Sequence, residues 1–205
     1  MSEYKITAST INNSRLGDSL QESSEIKSSR AFESVTVDTS RVFVIHGRDT
    51  KRKVAMFDFL RAIGLRPIEW SQARSMTGKG APYIGEILEV AFGQAQAVVA
   101  LLTGDDEARL LPELHEADEQ TESLRRQPRA NVLFEAGIAM GTHPERTVFV
   151  EVGHLRPFSD FGGRHSVRFS SKPSVENRQE IAMRLRDAGC AVDISGTDWH
   201  TSGDF

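Results

Sequence analysis

The chain has 205 residues, a mass of 22.7 kDa and a formal net charge of −4, and 39% of its residues are hydrophobic. These values are typical of a globular protein with one domain of ordinary size and some additional chain. The acidic balance argues against direct binding of nucleic acid, and the single cysteine, Cys190, excludes a disulfide scaffold. No apolar run approaches the roughly 18 residues that span a bilayer, and the N-terminus lacks the pattern of a secretory signal. We therefore expect a cytoplasmic protein without membrane contact.

Residues 1–40 differ in composition from the rest of the chain, with ten serines, one glycine and no sustained apolar period. Such a segment buries too little apolar surface to offset the entropy that it would lose on ordering. We expect a flexible N-terminal arm. The alternative is a weak helix over residues 19–33 that docks on a partner or on a neighbouring copy. The domain itself is predicted to span residues 41–195, with a C-terminal tail over residues 196–205.

From Arg41 onward, apolar runs and helical periods alternate along the chain. Strands are predicted in RVFVIHG, LRPIEW, AQAVVALLT, RTVFVEV and VRFS. Helices are predicted in TKRKVAMFDFLRAIG, PYIGEILEVAFGQA, RANVLFEAGIAMG and VENRQEIAMRLRDAG, with Pro82 in the first turn of the second and Ser174 capping the last. The segment SQARSMTGKGA is predicted to be a loop, and residues 104–128 a loop or a solvated helix. This alternation predicts an α/β fold, a flavodoxin-like doubly wound sheet of five parallel strands.

Ligands of such sheets bind beyond the carboxyl ends of the strands, which singles out the loops that begin at His46, Trp70, Thr103 and Glu151. In the first loop, Gly47 allows backbone N–H groups to approach a ligand closely, and the fork of Arg48 suits a phosphate. The same residues are also compatible with a tight turn that caps the next helix.

The glycine-lysine loop, residues 76–80, is not a Walker A motif, because Lys79 is followed by glycine and not by serine or threonine. A mobile loop that offers Lys79 to a phosphate or a partner and a solvated turn are both compatible with this sequence.

Glu135 is the only ionisable residue in the segment ANVLFEAGIAMG, residues 130–141. A helix this apolar is predicted to be buried on all sides, where a lone carboxylate is costly unless it is paired, protonated or functional. Asn131 lies one turn earlier on the same face. Glu135 is therefore either the partner of an arginine such as Arg129 or Arg48, or a carboxylate in a cleft that handles a ligand hydroxyl or a developing cation.

Other common chemistries find no support in the sequence. A phospho-receiver needs an acidic pair after its first strand, and this strand ends in His46. The six histidines show no metal-ligand spacing, so no metal site is expected. With one cysteine and no G-x-S-x-G motif, covalent hydrolase chemistry is unsupported as well.

Five segments between about Arg41 and about Val192 together resemble one family. These segments are VFVIHGRD, LRPIEW, VVALLTGDD, RANVLFEAGIAMG and the FSDFGG loop. In this order they are similar to the bacterial TIR-like nucleotide-binding domain that serves as the TIR effector module of CBASS and Pycsar anti-phage systems. The resemblance implies the five-stranded flavodoxin-like fold. It also implies, from the enzymatic members, cleavage of NAD+ between nicotinamide and ribose, which gives nicotinamide and ADP-ribose or its cyclised form.

The resemblance implies that Glu135 is the catalytic residue, because the essential glutamate of enzymatic TIR domains lies on the helix after the third strand. Many of those domains carry tryptophan four residues earlier, where this sequence has Asn131, and Trp70 is the candidate substitute in the nicotinamide pocket. The other candidate substrate-binding residues are His46, Gly47, Arg48, Lys79, Thr103 and Asp105. NAD+ is expected as substrate, and no cofactor is expected.

The resemblance further implies self-association into a homo-oligomer or filament, in which the glycine-lysine loop completes the site of a neighbouring copy. It also implies a nucleotide sensor on a separate protein, or a chain that responds to a different signal. Two other functions remain compatible with the residues. One is an N-glycosidase that acts on nucleosides or nucleotides, and the other is a non-catalytic TIR-type adaptor that assembles or senses a nucleotide without turnover.

Overall fold

The computed structural model of the protein describes residues 37–115, 123–157, 166–169 and 174–205. Its strands are β1 (Arg41–His46), β2 (Arg66–Ile68), β3 (Ala97–Thr103), β4 (Asp106–Ala108), β5 (Arg125–Gln127), β6 (Thr147–Val152) and β7 (Val167–Phe169). Five of them form one parallel sheet in the order β2-β1-β3-β6-β7, and β4 pairs with β5 in a separate antiparallel ribbon. The order of the parallel strands is that of the flavodoxin-like doubly wound fold, so the predicted fold class is confirmed.

Five helices cover the two faces of the sheet. They are α1 (Thr50–Ala62), α2 (Trp70–Met76), α3 (Ile84–Gln94), α4 (Ala130–Thr142) and α5 (Val175–Asp187). Helices α1 and α5 pack over one hydrophobic cluster, and α3 and α4 pack over the other, to which α2 contributes Ala73. Strand β3 is buried at every residue, which explains its uninterrupted apolar sequence, since both of its faces are covered.

Alternation along β1 decides which side chains reach which face. Val42 and Val44 belong to the cluster beneath α1 and α5, whereas Phe43 and Ile45 belong to the cluster beneath α3 and α4. By the same alternation, the last side chains of β1 and β3, His46 and Thr103, both lie on the face covered by α1 and α5. This alternation decides where the candidate site residues lie.

The predicted ends of α1 and α5 agree with the structure. The Ser174 hydroxyl accepts the backbone N–H of Asn177 at the start of α5, and the Asp49 carboxylate accepts that of Arg52 at the start of α1. Gly64 and Gly189 follow the ends of α1 and α5 with positive φ angles of 79° and 88°.

Three local predictions were wrong. The first part of SQARSMTGKGA is helical, because Glu69 and Gln72 cap the start of α2, and Trp70 therefore begins a helix and not a loop. Helix α3 starts at Ile84, with Tyr83 at its N-cap, so Pro82 precedes the helix. The charged segment after β3 contains the β4–β5 ribbon and a short 3-10 turn over Pro112–Leu114, where we expected a loop or a long solvated helix.

Residues Thr36–Phe205 form one compact unit. The predicted N-terminal arm up to residue 36, the possible helix over residues 19–33, residues 116–122 and the FSDFGG loop lie outside the described residues. Within residues 196–205, expected to be a tail, Trp199 is buried and the Phe205 ring stacks on Phe169 with centroids 4.4 Å apart. These C-terminal residues therefore add side chains to the core. Among the helices of the described ranges, none combines the length and the apolar composition needed to cross a membrane.

Candidate functional site

Glu135 lies in the second turn of α4, on the flank of the stripe by which this helix packs on the sheet. The buried residues of that stripe are Val132, Ala136 and Ala139. The opposite side of α4 faces solvent, and Phe134 is 67% exposed. The expectation of a helix buried on all sides was therefore wrong, and Glu135 stands at the boundary between the core and solvent.

The carboxylate of Glu135 has no hydrogen-bond or ion-pair partner within the described residues. Partial burial, with no compensating charge, raises the pKa of the Glu135 carboxyl above its ordinary value. The two arginines considered as structural partners do not fill that role: Arg129 lies 3.8 Å from Asp106, and the backbone of Arg48 is bonded to Asp105. Within the described residues, Glu135 is therefore not one half of a structural ion pair.

Three other acidic residues near the carboxyl ends of the strands have partners, in contrast to Glu135. Glu151, on β6, accepts the hydroxyl of Ser166 and lies 3.2 Å from Arg168 Nε. Asp105 accepts the backbone N–H of Arg48, and Asp106 Oδ1 lies 3.8 Å from Arg129 Nε. Glu135 is therefore distinguished by burial without a partner, which is an arrangement more typical of functional carboxylates than of structural ones.

The Asp105 carboxylate ties the loop after β1 to the end of β3. Its Oδ2 accepts the backbone N–H of Arg48 at 2.5 Å, and its Oδ1 accepts the hydroxyl of Thr103 at 2.7 Å. A Cβ atom at Gly47 would lie 1.7 Å from Oδ2, so any larger residue there would force the Asp105 carboxylate to move. The close approach that glycine permits at position 47 is therefore made by the Asp105 carboxylate. The Arg48 N–H, which we expected to bind a phosphate, donates to this same carboxylate.

His46 and Trp70 lie on opposite faces of the sheet. The His46 ring packs edge-on against Phe57 of α1, with centroids 6.3 Å apart, and its Nδ1 is 2.9 Å from the carbonyl oxygen of Gly47. Trp70 packs with the cluster beneath α3 and α4, and its ring centroid is 6.3 Å from that of Phe43. Trp70 therefore shares the face of the sheet with the helix that carries Glu135, whereas His46 does not.

A cleft of about 850 Å³ opens between the end of β3 and the β4–β5 ribbon. Its lining residues are Gly104, Asp105, Asp106, Glu107, Arg126 and Gln127. The stem of Arg126 covers Gly104, where an added Cβ would lie 2.8 Å from the Cβ of Arg126. The backbone N–H of Arg156 donates to the carbonyl oxygen of Arg126 at 2.7 Å, which braces the ribbon against the segment after β6. The cleft thus has a fixed floor at the ligand-binding edge of the sheet.

Comparison with known protein families identifies the family of this chain. The sequence profile of the family described as CAP12/Pycsar effector protein, TIR domain, matches residues 41–171, which is more than half of the chain. The chain belongs to this TIR family. A comparison with curated proteins finds no match.

In this TIR domain, Lys79 forms an ion pair with Glu86 of the same chain. Its Nζ lies 2.5 Å from Glu86 Oε1, and this hydrogen bond, together with the Tyr83 backbone N–H, lowers the pKa of the Glu86 carboxyl. The Lys79 side chain is exposed and that of Glu86 is partly exposed, so solvent screens this pair and a ligand or a neighbouring copy has access to Lys79. Within the described residues, Lys79 forms no hydrogen bond or ion pair with Glu135.

Asn131 lies in the first turn of α4, is exposed, and makes no hydrogen bond with Glu135 in the described part of the domain. The structure thus brings together Gly47, Arg48, Thr103 and Asp105 at one edge, with Glu135 on the adjacent helix. The sequence analysis did not single out Arg126, which lines the cleft. The signal that it overlooked is the basic run over residues 125–129, directly before the helix of Glu135.

Proposed function

We propose that this TIR domain is an NAD+ glycohydrolase of bacterial anti-phage defence, with Glu135 as its catalytic residue. The observation that carries the proposal is the partly buried carboxylate of Glu135 on α4, which has no partner within the described residues. Membership of a family of defence effectors supports the biological setting. The resemblance described above supports the substrate, because enzymatic TIR domains cleave NAD+.

The proposed reaction breaks the bond between C1′ of the ribose and the pyridinium nitrogen of nicotinamide. The electron pair of that bond goes to the nitrogen, so nicotinamide leaves as a neutral molecule without protonation by an acid. The ribose carbon develops the positive charge of an oxocarbenium ion, which a carboxylate stabilises as it does in glycoside hydrolysis. A water oxygen then bonds to C1′, a proton is released to solvent, and ADP-ribose is formed.

Because only the ionised form of Glu135 performs this role, the activity should depend on pH. Because burial raises the pKa of the Glu135 carboxyl, protonation begins at a higher pH than for an exposed glutamate. We expect kcat/KM to fall as the pH decreases through this raised pKa. The loss should start above the ordinary glutamate value of about 4.3.

The test of this function is a side-by-side incubation of the concentrated protein with NAD+, NADP+, AMP and adenosine, with products separated by chromatography. TIR domains that act as assemblies need high concentration, so the protein is also assayed with a crowding agent. Release of nicotinamide from NAD+ without release of adenine from the other compounds supports the proposal.

Two outcomes would overturn it in favour of the alternatives. Release of adenine from AMP or adenosine, with NAD+ intact, would indicate a nucleotide N-glycosidase. Binding of NAD+ that never leads to nicotinamide, under every assembly condition, would indicate a non-catalytic adaptor.

A further inference from the structure

The cleft beside the β4–β5 ribbon contains a cation that no described partner neutralises. Arg126 lines the cleft and has an exposed side chain, and its guanidinium has no hydrogen bond or ion pair within the described residues. Glu107 faces Arg126 across the ribbon in the strand register, but the two side chains form no ion pair. A free guanidinium fork at the ligand-binding edge of a doubly wound sheet suits a phosphate or a carboxylate.

Two of the three acidic residues that line the same cleft have partners, whereas the third, Glu107, is exposed and has none within the described residues. Asp105 accepts hydrogen bonds from the Arg48 N–H and the Thr103 hydroxyl, and Asp106 lies 3.8 Å from Arg129 Nε. The side chain of Arg48 is also exposed, but Arg48 is not among the residues that line the cleft. The cleft therefore offers one arginine fork, that of Arg126, which a bound anion would complete.

The cleft is adjacent in sequence to the helix that carries Glu135. Strand β5 ends at Gln127, and α4 begins at Ala130, three residues later. Along the helix axis, Glu135 lies about 7.5 Å beyond Ala130. Glu135 is not among the residues that line the cleft, so the ribose of a ligand bound at Arg126 would have to extend out of the cleft toward α4. The volume of the cleft, about 850 Å³, falls in the range of small-molecule sites.

We infer that the cleft is the subsite for the diphosphate of a dinucleotide, with Arg126 as its main binding residue. The inference rests on the proposed function for the orientation of the ligand, because the nicotinamide ribose must then reach Glu135. It replaces the expected phosphate site at the backbone of Gly47 and Arg48, where the Asp105 carboxylate already lies. The floor of the subsite requires a glycine at position 104, since a larger residue would displace the stem of Arg126.

The test compares wild type with Arg126→Ala and Arg126→Lys, and uses Arg186→Ala, an exposed arginine on α5, as the matched control. Binding of ADP-ribose and of inorganic pyrophosphate is measured by calorimetry. We expect Arg126→Ala to weaken both by about tenfold or more, because a charge-assisted bond is lost. Arg126→Lys keeps the positive charge but loses the guanidinium fork, so its affinity for both ligands should lie between those of wild type and Arg126→Ala. The control Arg186→Ala should bind both ligands as tightly as wild type.

Kinetics provide a second measurement, which would not change in this way if Arg126 had only a structural role. Arg126→Ala should raise KM for NAD+ much more than it lowers kcat, and kcat/KM for nicotinamide riboside, which lacks the diphosphate, should be unchanged. Thermal unfolding verifies that the variants are folded.

The outcomes separate this inference from the proposed function. If the protein binds ADP-ribose through Arg126 but never releases nicotinamide, the subsite stands and the glycohydrolase proposal fails. If nicotinamide is released and Arg126→Ala leaves the ADP-ribose Kd and the KM within twofold of wild type, the subsite is overturned and the proposed function stands. Failure of wild type to bind either ADP-ribose or pyrophosphate also overturns the subsite.

Discussion

The carboxylate of Asp105 occupies the space that a side chain at Gly47 would need, with Oδ2 only 1.7 Å from the position of a Cβ atom. The two residues are 58 positions apart in the sequence and belong to the ends of two neighbouring strands. The same oxygen accepts the Arg48 N–H, so this contact fixes the backbone of the loop after β1. The loop is thereby held by the protein itself before any ligand arrives.

Gly47→Ala should therefore destabilise the domain by pushing Asp105 away from the Arg48 N–H. We expect a loss of about 1–3 kcal/mol, and a similar loss for Asp105→Ala, which removes the hydrogen bonds. In the double variant the clash is absent, so its loss should be clearly smaller than the sum of the single losses. Urea denaturation of the four proteins gives this coupling. Additive losses would show that the contact does not govern the loop.

Glu135→Gln should stabilise the domain near neutral pH. Burial raises the pKa of the Glu135 carboxyl, so the folded state disfavours its charged form, and that unfavourable contribution is full above the raised pKa. As the pH falls through this pKa, wild type becomes protonated and the difference shrinks. We expect a gain on the order of 1 kcal/mol at pH 7.5, or about 2–4 °C in Tm.

Tm values of both proteins between pH 5 and pH 8 measure this difference. Glu145→Gln, at an exposed glutamate beyond the other end of α4, is the matched control and should change little at any pH. A lower Tm for Glu135→Gln across the whole range would mean that the carboxylate is stabilised by a partner.

The elements that were predicted correctly are those whose packing is visible in local sequence. The apolar run of β3 and the periodic face of α5 follow from burial on a sheet, and Glu135 was identified because no other residue of its segment ionises. Helix α2 was missed because its residues are polar and its stability comes from the cap formed by Glu69 and Gln72. The β4–β5 ribbon was missed because three-residue strands carry too short an alternation to recognise.

The geometry of the site could not be predicted for a different reason. The bond of Asp105 to the loop of Gly47 and the position of Arg126 over Gly104 join residues far apart in the sequence. Pattern reasoning places residues at the edge of a sheet, but it does not show which donors an acidic neighbour has already used. The sequence therefore could not show that the Arg48 N–H, expected to bind a phosphate, donates to Asp105.

Cys190 should be unreactive in the native protein. The thiol is buried, and burial raises its pKa to about 12, so almost no thiolate forms at pH 8. A disulfide reagent such as DTNB should therefore label it only after addition of denaturant. Stoichiometric labelling within minutes under native conditions would contradict the packing around Cys190.

Arg178 should be important for the C-terminal residues. It is 3% exposed, and its guanidinium donates to the carbonyl oxygens of Ser202 and Gly203 at 2.9 and 2.5 Å. Arg178→Met leaves both carbonyls without this donor, and we expect a loss of about 2–3 kcal/mol in the free energy of unfolding. Arg186→Met, at an exposed position of the same helix, should cost little. Equal stability of the two variants, and equal resistance of residues 196–205 to proteolysis, would contradict this role.

The central claim is that the Glu135 carboxylate performs the chemistry, and nicotinamide release from NAD+ by matched variants tests it most directly. Wild type and Glu145→Gln should release nicotinamide at the same rate, whereas Glu135→Gln, which keeps the shape but not the charge, should be slower by about 10²–10³-fold or more. ADP-ribose binding by Glu135→Gln should persist, which shows that the site is intact. Equal rates for Glu135→Gln and wild type would contradict the account.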